Sequence, residues 1–449
     1  MSNCGCVIVQ LDHIAVARHG HIMSFRFIHT ADLHLDSPLK SLALKNPDLS
    51  ELVRGATRQA LVRIVDLCIE ESVDALLIAG DLYDGAQTSM STALFLVAQL
   101  RRLEDAGIQV FIVRGNHDAQ SRITRELTLP PNTHVFTGKA KPFLAKTTLS
   151  GREVYVHGLS FNEPHAPQSL LPGYAQPVPG AVNLGIMHTS VAGGAGHDLY
   201  APVSVANLTS HGFDYWALGH IHHRQIHSDV PLVVMPGMPQ GRDINEAGPK
   251  SVTLVTVHSD GTWTHEERVI SVAVFERCTV DCSGLDIWSD LVALLQKHIQ
   301  SARAECGCDH LILRVTLVGR TSLSWRLRRD HALLVGEVSA IAQALGHCWI
   351  EAVQVACEAE VLTEGRVDNG PDPIEELAGL IDRDVTEAAG YRREVKTLLE
   401  DVLRHLPQEV RDGLAANEEE EAQLIAMLIE MGGKQVLSRL NPVLPEAHD

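Results

Sequence analysis

The sequence predicts an α/β protein: a layered, sandwich-like α/β domain, then a smaller α/β unit, then a helical segment. Three observations lead there. From Phe25 onward, short apolar runs alternate with stretches of helical spacing, the pattern of strands buried between layers. Between Leu232 and Arg268, strand-like runs follow one another with no helix between them, which calls for sheet faces packed together. At 449 residues the chain is also too long for one ordinary core, so two or three domains are expected.

The elements follow in order. Met1 to Ile22 shows no periodicity and Met23 stands directly before the first good strand. Residues 1–24 therefore read as a disordered extension or an over-long start. The domain at 25–270 opens with a strand at Phe25 to His29. Buried strands follow at Ala75 to Ala79, Val110 to Val113, Val154 to Val156, Leu184 to Met187 and Tyr215 to Leu218. Helical spacing covers Thr57 to Glu71 and Thr92 to Ala106, with Thr92 as a candidate N-cap and Gly107 as the stop. Strands at Leu232 to Met235, Val252 to Val257 and Thr262 to Arg268 close the domain. The second unit, 271–362, reads strand (Val272 to Val280), helix (Leu285 to Ala302), strand (Leu311 to Val318), helix (His331 to Leu345), strand (Ile350 to Val355). Residues 363–373, rich in Gly, Asp, Asn and Pro, read as a linker. Residues 374–449 read as acidic helices whose apolar positions, such as Leu377, Ile381, Val395, Leu398 and Val402, fall at steps of three and four.

Composition narrows the function classes. The hydrophobic and charged fractions, 45% and 21%, are those of a soluble globular protein. No apolar run approaches the roughly 20 residues that cross a bilayer, and the first residues lack a secretory pattern. A cytoplasmic protein without membrane attachment is the expectation. Nine scattered cysteines, with no paired CxxC motifs, read as reduced thiols. The net charge of −19 is uneven: residues 1–270 hold 20 Lys and Arg against 25 Asp and Glu, and residues 271–449 hold 17 against 31. This is not the broad basic surface of a general nucleic-acid binder. Any grip on DNA must be local or supplied by a partner.

The chemistry sits at the strand ends. Five apolar runs each lead into metal-competent side chains: Asp32-Leu33-His34, Gly80-Asp81-Leu82-Tyr83-Asp84, Gly115-Asn116-His117-Asp118, His188, and Gly219-His220-Ile221-His222. Functional groups in α/β sheets gather beyond the carboxyl ends of strands, so the five can converge. In extended backbone, residues two apart point the same way, which would aim Asp32 and His34 at one metal, and likewise His220 and His222. The glycines at 80, 115 and 219 allow close turns where a Cβ would not fit. Two divalent ions side by side need a bridging anion, and Asp81 is the natural bridge. Each fragment alone is weak: Asp-x-His is a common coincidence, Asn-His-Asp can be an ordinary turn, and a lone His188 can be a core histidine. The ordered set is not weak.

That ordered set, Asp-x-His, Gly-Asp-x-x-Asp, Gly-Asn-His-Asp, His and Gly-His-x-His, resembles the calcineurin-like metallophosphoesterase superfamily. Within it, His29 to His34 and Trp216 to His222 resemble the SbcD-type DNA-repair exonucleases, and Asp32 to Pro38 is similar to their YhaO-like branch. The resemblance implies a metallophosphoesterase domain at 25–270 with a cap domain at 271–362. It also implies one metal held by Asp32, His34, Asp81 and His222, and a second held by Asp81, Asn116, His188 and His220. His117 would be the catalytic histidine, acting on the phosphate or the leaving oxygen. Mixed imidazole and carboxylate ligation favours manganese, with iron or zinc as alternatives, over magnesium. Asp84 stands where several repair nucleases carry a histidine, and a carboxylate there would repel phosphate unless protonated or turned away. Asp118 reads as the carboxylate that orients His117.

The resemblance further implies a manganese-dependent exonuclease or endonuclease acting on DNA ends, an SbcC-like ATPase docked on the helices of 374–449, and a homodimer. Two alternatives stand beside it. One is a phosphatase or phosphodiesterase on nucleotides or other small phosphoesters, which the acidity favours because a small substrate needs no basic track. The other is a scaffold subunit of an ATPase complex, against which the complete ligand set argues.

Overall fold

The structure, a computed structural model, describes residues 24–37, 47–84, 89–118, 128–148, 150–160, 163, 166–191, 200–359, 373–386, 388–406, 411, 414 and 417–440. The expected extension, apart from Ser24, and residues 363–372 of the expected linker lie outside the described residues. The chain divides into two compact units. The first comprises the described residues up to 275 with 308–310, and the second comprises 276–307 with those from 311 onward.

The first unit runs β1 (Phe25–Thr30), α1 (Pro47–Glu70), β2 (Ala75–Ala79), α2 (Met90–Asp105), β3 (Gln109–Val113), β4 (Thr133–Val135), β5 (Phe143–Thr147) and β6 (Glu153–Gly158). It continues through β7 (Val182–His188), α3 (Val205–Ser210), β8 (Tyr215–Gly219), β9 (Gln225–Asp229), β10 (Leu232–Met235), β11 (Ser251–Val257) and β12 (Trp263–Val269). Two six-stranded sheets result, ordered β12-β11-β1-β2-β3-β4 and β5-β6-β7-β8-β10-β9. In the first, β1 to β4 are parallel and β11 and β12 return antiparallel. In the second, β6, β7, β8 and β10 are parallel between antiparallel β5 and β9.

Alternation along each strand sorts the side chains. Phe27, Leu77 and Phe111 meet Val156, Leu184 and Ala217 in a core between the sheets. Their neighbours Ile28, Leu76 and Ile112 pack instead on Leu61 and Ile64 of α1 and Leu96 and Leu100 of α2. On the far side of the second sheet, Trp216, Leu218 and Val233 pack with Leu208 of α3. Strands covered on both faces have no polar side to show, hence the unbroken apolar runs. His29 also joins the sheets. Its Nδ1 lies 2.9 Å from the Tyr215 hydroxyl and its Nε2 3.0 Å from the Leu218 carbonyl. Burial lowers its pKa to about 3, so it serves as a neutral link.

Several boundaries differ from expectation. α1 starts at Pro47, ten residues ahead of Thr57, with Pro at its first position and Asp48 in its first turn, both favourable there. Thr92 is not the cap of α2: Ser89 is, its side chain accepting from the Thr92 N–H at 3.2 Å. Gly107 does follow the helix end, with φ +72°. β4, β5 and β9 had no counterpart in the sequence reading because they are partly exposed and carry little apolar signal.

The second unit contains β13 (Ala273–Asp281) from Glu276 on, α4 (Trp288–Glu305), β14 (His310–Val318) from Leu311 on, α5 (Ser324–Arg329), α6 (His331–Leu345) and β15 (Cys348–Val355), its sheet ordered β13-β14-β15. Leu291 and Leu295 of α4, Leu313 and Val315 of β14, and Leu334 and Val338 of α6 form its core. The tail follows as α7 (Pro373–Leu380), α8 (Ala389–Arg404) and α9 (Glu418–Leu440). Pro373, expected to end the linker, opens α7 instead. α9 packs against α5 and α8 and buries Ile425, Ile429 and Leu437. On that face the tail packs within the second unit. Leu398, Val402, Leu428 and Val436 are exposed. The seven described cysteines are free, and five of them are buried. No described helix is long and apolar enough to cross a membrane.

Candidate metal centre

The carboxyl ends of β1, β2, β3, β7 and β8 bring their polar residues together. Asp32, His34 and His222 form one cluster and Asp32, Asp81 and His188 another, each with its ligand atoms within 4.8 Å of one another. Asp32, His34, Asp81 and His188 are fully buried or nearly so. Asp81 stands between the sets, its Oδ2 3.4 Å from His188 Nε2 and 3.9 Å from His34 Nε2. Asn116 joins the second set with its Oδ1 2.9 Å from His188 Nε2.

The backbone is not extended here, contrary to expectation. Asp32, His34 and Asp81 have φ of +53°, +41° and +53°, and His220 has +110°. Such left-handed conformations cost a non-glycine residue about 1–3 kcal/mol and cluster at functional sites. The turn still aims Asp32 and His34 at one place. It separates His222, which faces His34, from His220, whose ring lies 5.1 Å from that of His188. The His220 N–H donates to both Asp32 oxygens at 3.1 Å. The glycines matter mostly by closeness. A Cβ on Gly115 would overlap the Asp81 carboxylate, and one on Gly80 would overlap the His188 ring.

Two histidines have their tautomers set by acceptors behind them. His188 Nδ1–H donates to the Ala79 carbonyl at 2.9 Å, and His222 Nδ1–H donates to Glu246 Oε1 at 2.9 Å. Each ring then turns its Nε2 inward, with an acceptor behind its Nδ1 as is found behind metal-ligating histidines. These inward atoms lie close to one another. His222 Nε2 is 3.1 Å from His34 Nε2, and His188 Nε2 faces both Asn116 Oδ1 and Asp81 Oδ2. Burial pushes Asp32 up to about 6 against the pull of His188 and His222. Burial also opposes ionisation of Asp81, yet His188 foremost, then His34 and His117, hold it below the ordinary carboxylate range. Burial alone would lower His188, but Asp81 and Asp32 raise it to about 9. Buried carboxylates and inward imidazole nitrogens within 4.8 Å of one another are the donor set of a divalent site. A cation would offset the cost of burying Asp32 and Asp81, so the residues fit a divalent metal pair of imidazole, carboxylate and amide ligation.

His117 stands beside the cluster, its ring 5.1 Å from that of His34 and its backbone N–H 3.1 Å from Asp81 Oδ1. Its Nδ1 lies 2.9 Å from Asp84 Oδ1, a bond that raises the His117 pKa. This corrects the expected role of Asp118, whose carboxylate instead accepts the backbone N–H groups of Leu82, Tyr83 and Gly115. Asp84 is the partner, and it is turned away from open space: Ser37 Oγ donates to its Oδ2, and Arg242 Nη1 lies 3.5 Å from that oxygen. Burial would raise the Asp84 pKa, but His117 and Ser37 outweigh it and keep the group ionised.

Arg242 and Glu246 were missed in the sequence. They follow β10, which runs parallel to β8 and ends on the same side, but they lie several residues beyond the strand end. A lone Arg and Glu in a polar loop carry no signal of their own.

Residues 25–224 match the calcineurin-like phosphoesterase family, and residues 275–358 match the family described as "Metallophosphoesterase YhaO, middle domain". The chain is 32% identical to the "Uncharacterized metallophosphoesterase YhaO" of Bacillus subtilis over 294 residues, covering 65% of this chain and 72% of that protein. It is 25% identical to the "DNA double-strand break repair protein Mre11" of Methanopyrus kandleri, covering 48% of this chain and 49% of that one. The protein of the same description from Saccharolobus solfataricus is also 25% identical, with 48% and 54% covered. Matching both family models and 32% identical to YhaO over 72% of that protein, the chain belongs to the calcineurin-like metallophosphoesterases, in the YhaO family.

Proposed function

We propose that the protein is a two-metal phosphodiester hydrolase, manganese-dependent, that cleaves DNA at ends. The observation that carries the reading is the convergence of Asp32, His34, Asp81, Asn116, His188 and His222, with the Nε2 atoms of His188 and His222 turned inward. Asp32, His34, Asp81 and His222 would hold one cation, and Asp81, Asn116, His188 and His220 the other. Bound divalent cations polarise phosphoryl oxygens and activate water at neutral pH. The chain's own contribution is the rest. His117, held at Nδ1 by Asp84, keeps Nε2 for a phosphate or leaving-group oxygen, a role worth about 10² to 10⁴-fold. Asp84 meets the objection to a carboxylate near phosphate, because Ser37 and Arg242 take its outer oxygen. DNA as substrate rests on the likeness to proteins described as acting in double-strand break repair.

The exposed apolar residues of α8 and α9 suit docking of an SbcC-like ATPase, whose basic surface would complement the acidic tail. The net charge of −19 favours a second reading, in which the substrate is a nucleotide or other small phosphoester. One experiment separates them. Chelator-treated protein is reloaded with Mn²⁺ and given end-labelled duplex DNA or a chromogenic phosphodiester. Hydrolysis of both, lost without metal, supports the nuclease; cleavage of the small ester alone selects the second reading; activity untouched by chelation would sink both.

A further inference from the structure

A continuous polar chain runs through the first unit from one face of the metal cluster to the other. It begins at His222, whose Nδ1–H donates to Glu246 Oε1 at 2.9 Å. Glu246 is held by Arg242 in a fork: Nη2 donates to Oε1 at 2.8 Å, Nε to Oε2 at 3.3 Å, and the Arg242 backbone N–H also donates to Oε2 at 2.8 Å. Arg242 Nη1 reaches Ser37 Oγ at 3.2 Å and Asp84 Oδ2 at 3.5 Å. Asp84 closes the chain on His117 at 2.9 Å. Arg242 and Glu246 are both largely buried, with side chains 19% and 12% exposed, so these contacts are not solvated surface pairs.

We propose that Glu246 and Arg242 are positioning residues for hydrolysis, Glu246 setting the His222 ring for metal and Arg242 neutralising the two carboxylates that flank the approach of an anionic phosphodiester. The geometry gives each a separate task. Glu246 can only accept, so it fixes the proton on His222 Nδ1 and leaves Nε2 as the donor atom. Arg242 is the planar fork that spans Glu246 on one side and Asp84 on the other, a shape a lysine ammonium cannot reproduce. Without it, two carboxylates would stand beside the position where a phosphate must come. In a chain with so large an acidic excess, a cation placed there compensates locally for what the overall charge lacks. The proposal rests on the two-metal reading above.

The test uses the full chain, wild type beside Glu246→Gln, Arg242→Ala and Arg242→Lys, with thermal melting in chelator to show that each variant folds. Mn²⁺ binding is measured by titration calorimetry, and kcat and KM on a chromogenic phosphodiester. Glu246→Gln should weaken manganese binding at one of two sites by about 10 to 100-fold, the effect of replacing the charged acceptor behind a metal-ligating histidine by a neutral one. Arg242→Ala should raise KM about tenfold or more, the scale of an uncompensated charge near the substrate, while Arg242→Lys recovers part of it. Wild-type manganese affinity in Glu246→Gln overturns the proposal, as does an unchanged KM in Arg242→Ala. Wild-type protein that binds no manganese would instead sink the two-metal reading itself, so the two failures are told apart.

Discussion

The strand-end loops of the first unit and the tail helices of the second spend the same residue types in opposite ways. At the strand ends, Asp32, His34, Asp81 and His188 are buried with their polar atoms facing one another, and His34 Nδ1 is left without a hydrogen-bond partner among the described residues. In α8 and α9 the charges are solvated and the apolar residues Leu398, Val402, Met431 and Val436 are the ones left exposed. Buried charge is costly unless it is paired or binds a metal. Exposed apolar area is costly unless a partner covers it. The first arrangement therefore suits something small, hard and charged. The second suits a protein surface.

The comparison breaks most decisively at Asp81, the carboxylate placed between both sets. Asp81→Asn should abolish hydrolysis of a chromogenic phosphodiester and lower bound metal, while the melting temperature in chelator stays near wild type. Metal analysis and turnover check it together. Two tightly held ions with normal turnover would mean that Asp81 does not bridge. His117→Ala comes next, with an expected loss of about 10² to 10⁴-fold in kcat and unchanged metal content, because the ring lies beside the cluster and is tied to Asp84 instead. If metal falls in step with activity, His117 is a ligand and its role must be redrawn.

These residues were readable in the sequence because each follows a buried parallel strand, where apolar runs and polar endings sit side by side. The sandwich was readable for the same reason: Ala75 to Ala79 and Tyr215 to Leu218 are covered on both faces and so carry unbroken apolar signal. What was not readable depends on side-chain direction. Spacing put Asp118 next to His117, yet the left-handed turn at Asp81 brings Asp84 to His117 and sends Asp118 to the backbone. Similarly, extended geometry would have paired His220 with His222, but φ of +110° at His220 splits them. Edge strands β4, β5 and β9 were hidden because exposure dilutes their apolar pattern. The inner face of the tail was hidden too, since helical spacing alone does not say which apolar residues find a neighbour.

Within the tail the same contrast can be sharpened between its two faces. Ile429 is buried where α9 packs in its unit. Ile429→Ala should cost about 2–5 kcal/mol, the range for emptying a buried aliphatic site. Denaturant unfolding followed by a probe in the second unit measures it. A cost below about 0.5 kcal/mol would mean that α9 is held only loosely and that its buried face is not a structural contact.

The smallest effect on the isolated protein is expected at Leu398 and Val402, one turn apart on α8 and 62% and 60% exposed. Neither fills a core position, so the double variant Leu398→Glu/Val402→Glu should change unfolding free energy by no more than about 0.5 kcal/mol. It should also leave manganese binding and hydrolysis of a small phosphodiester unchanged, because those functions rest on the strand-end loops of the first unit. What it should lose is capture of a coiled-coil ATPase of the SbcC type, since an amphipathic helix that docks in a groove anchors through apolar residues three and four apart. Added negative charge in an already acidic segment would not rescue that contact. A variant that unfolds shows that these residues are packed in solution, and the face is then structural. A stable variant that still captures the ATPase shows that the docking surface lies elsewhere, with the exposed residues of α9, Leu428, Val436 and Leu440, as the next positions to change.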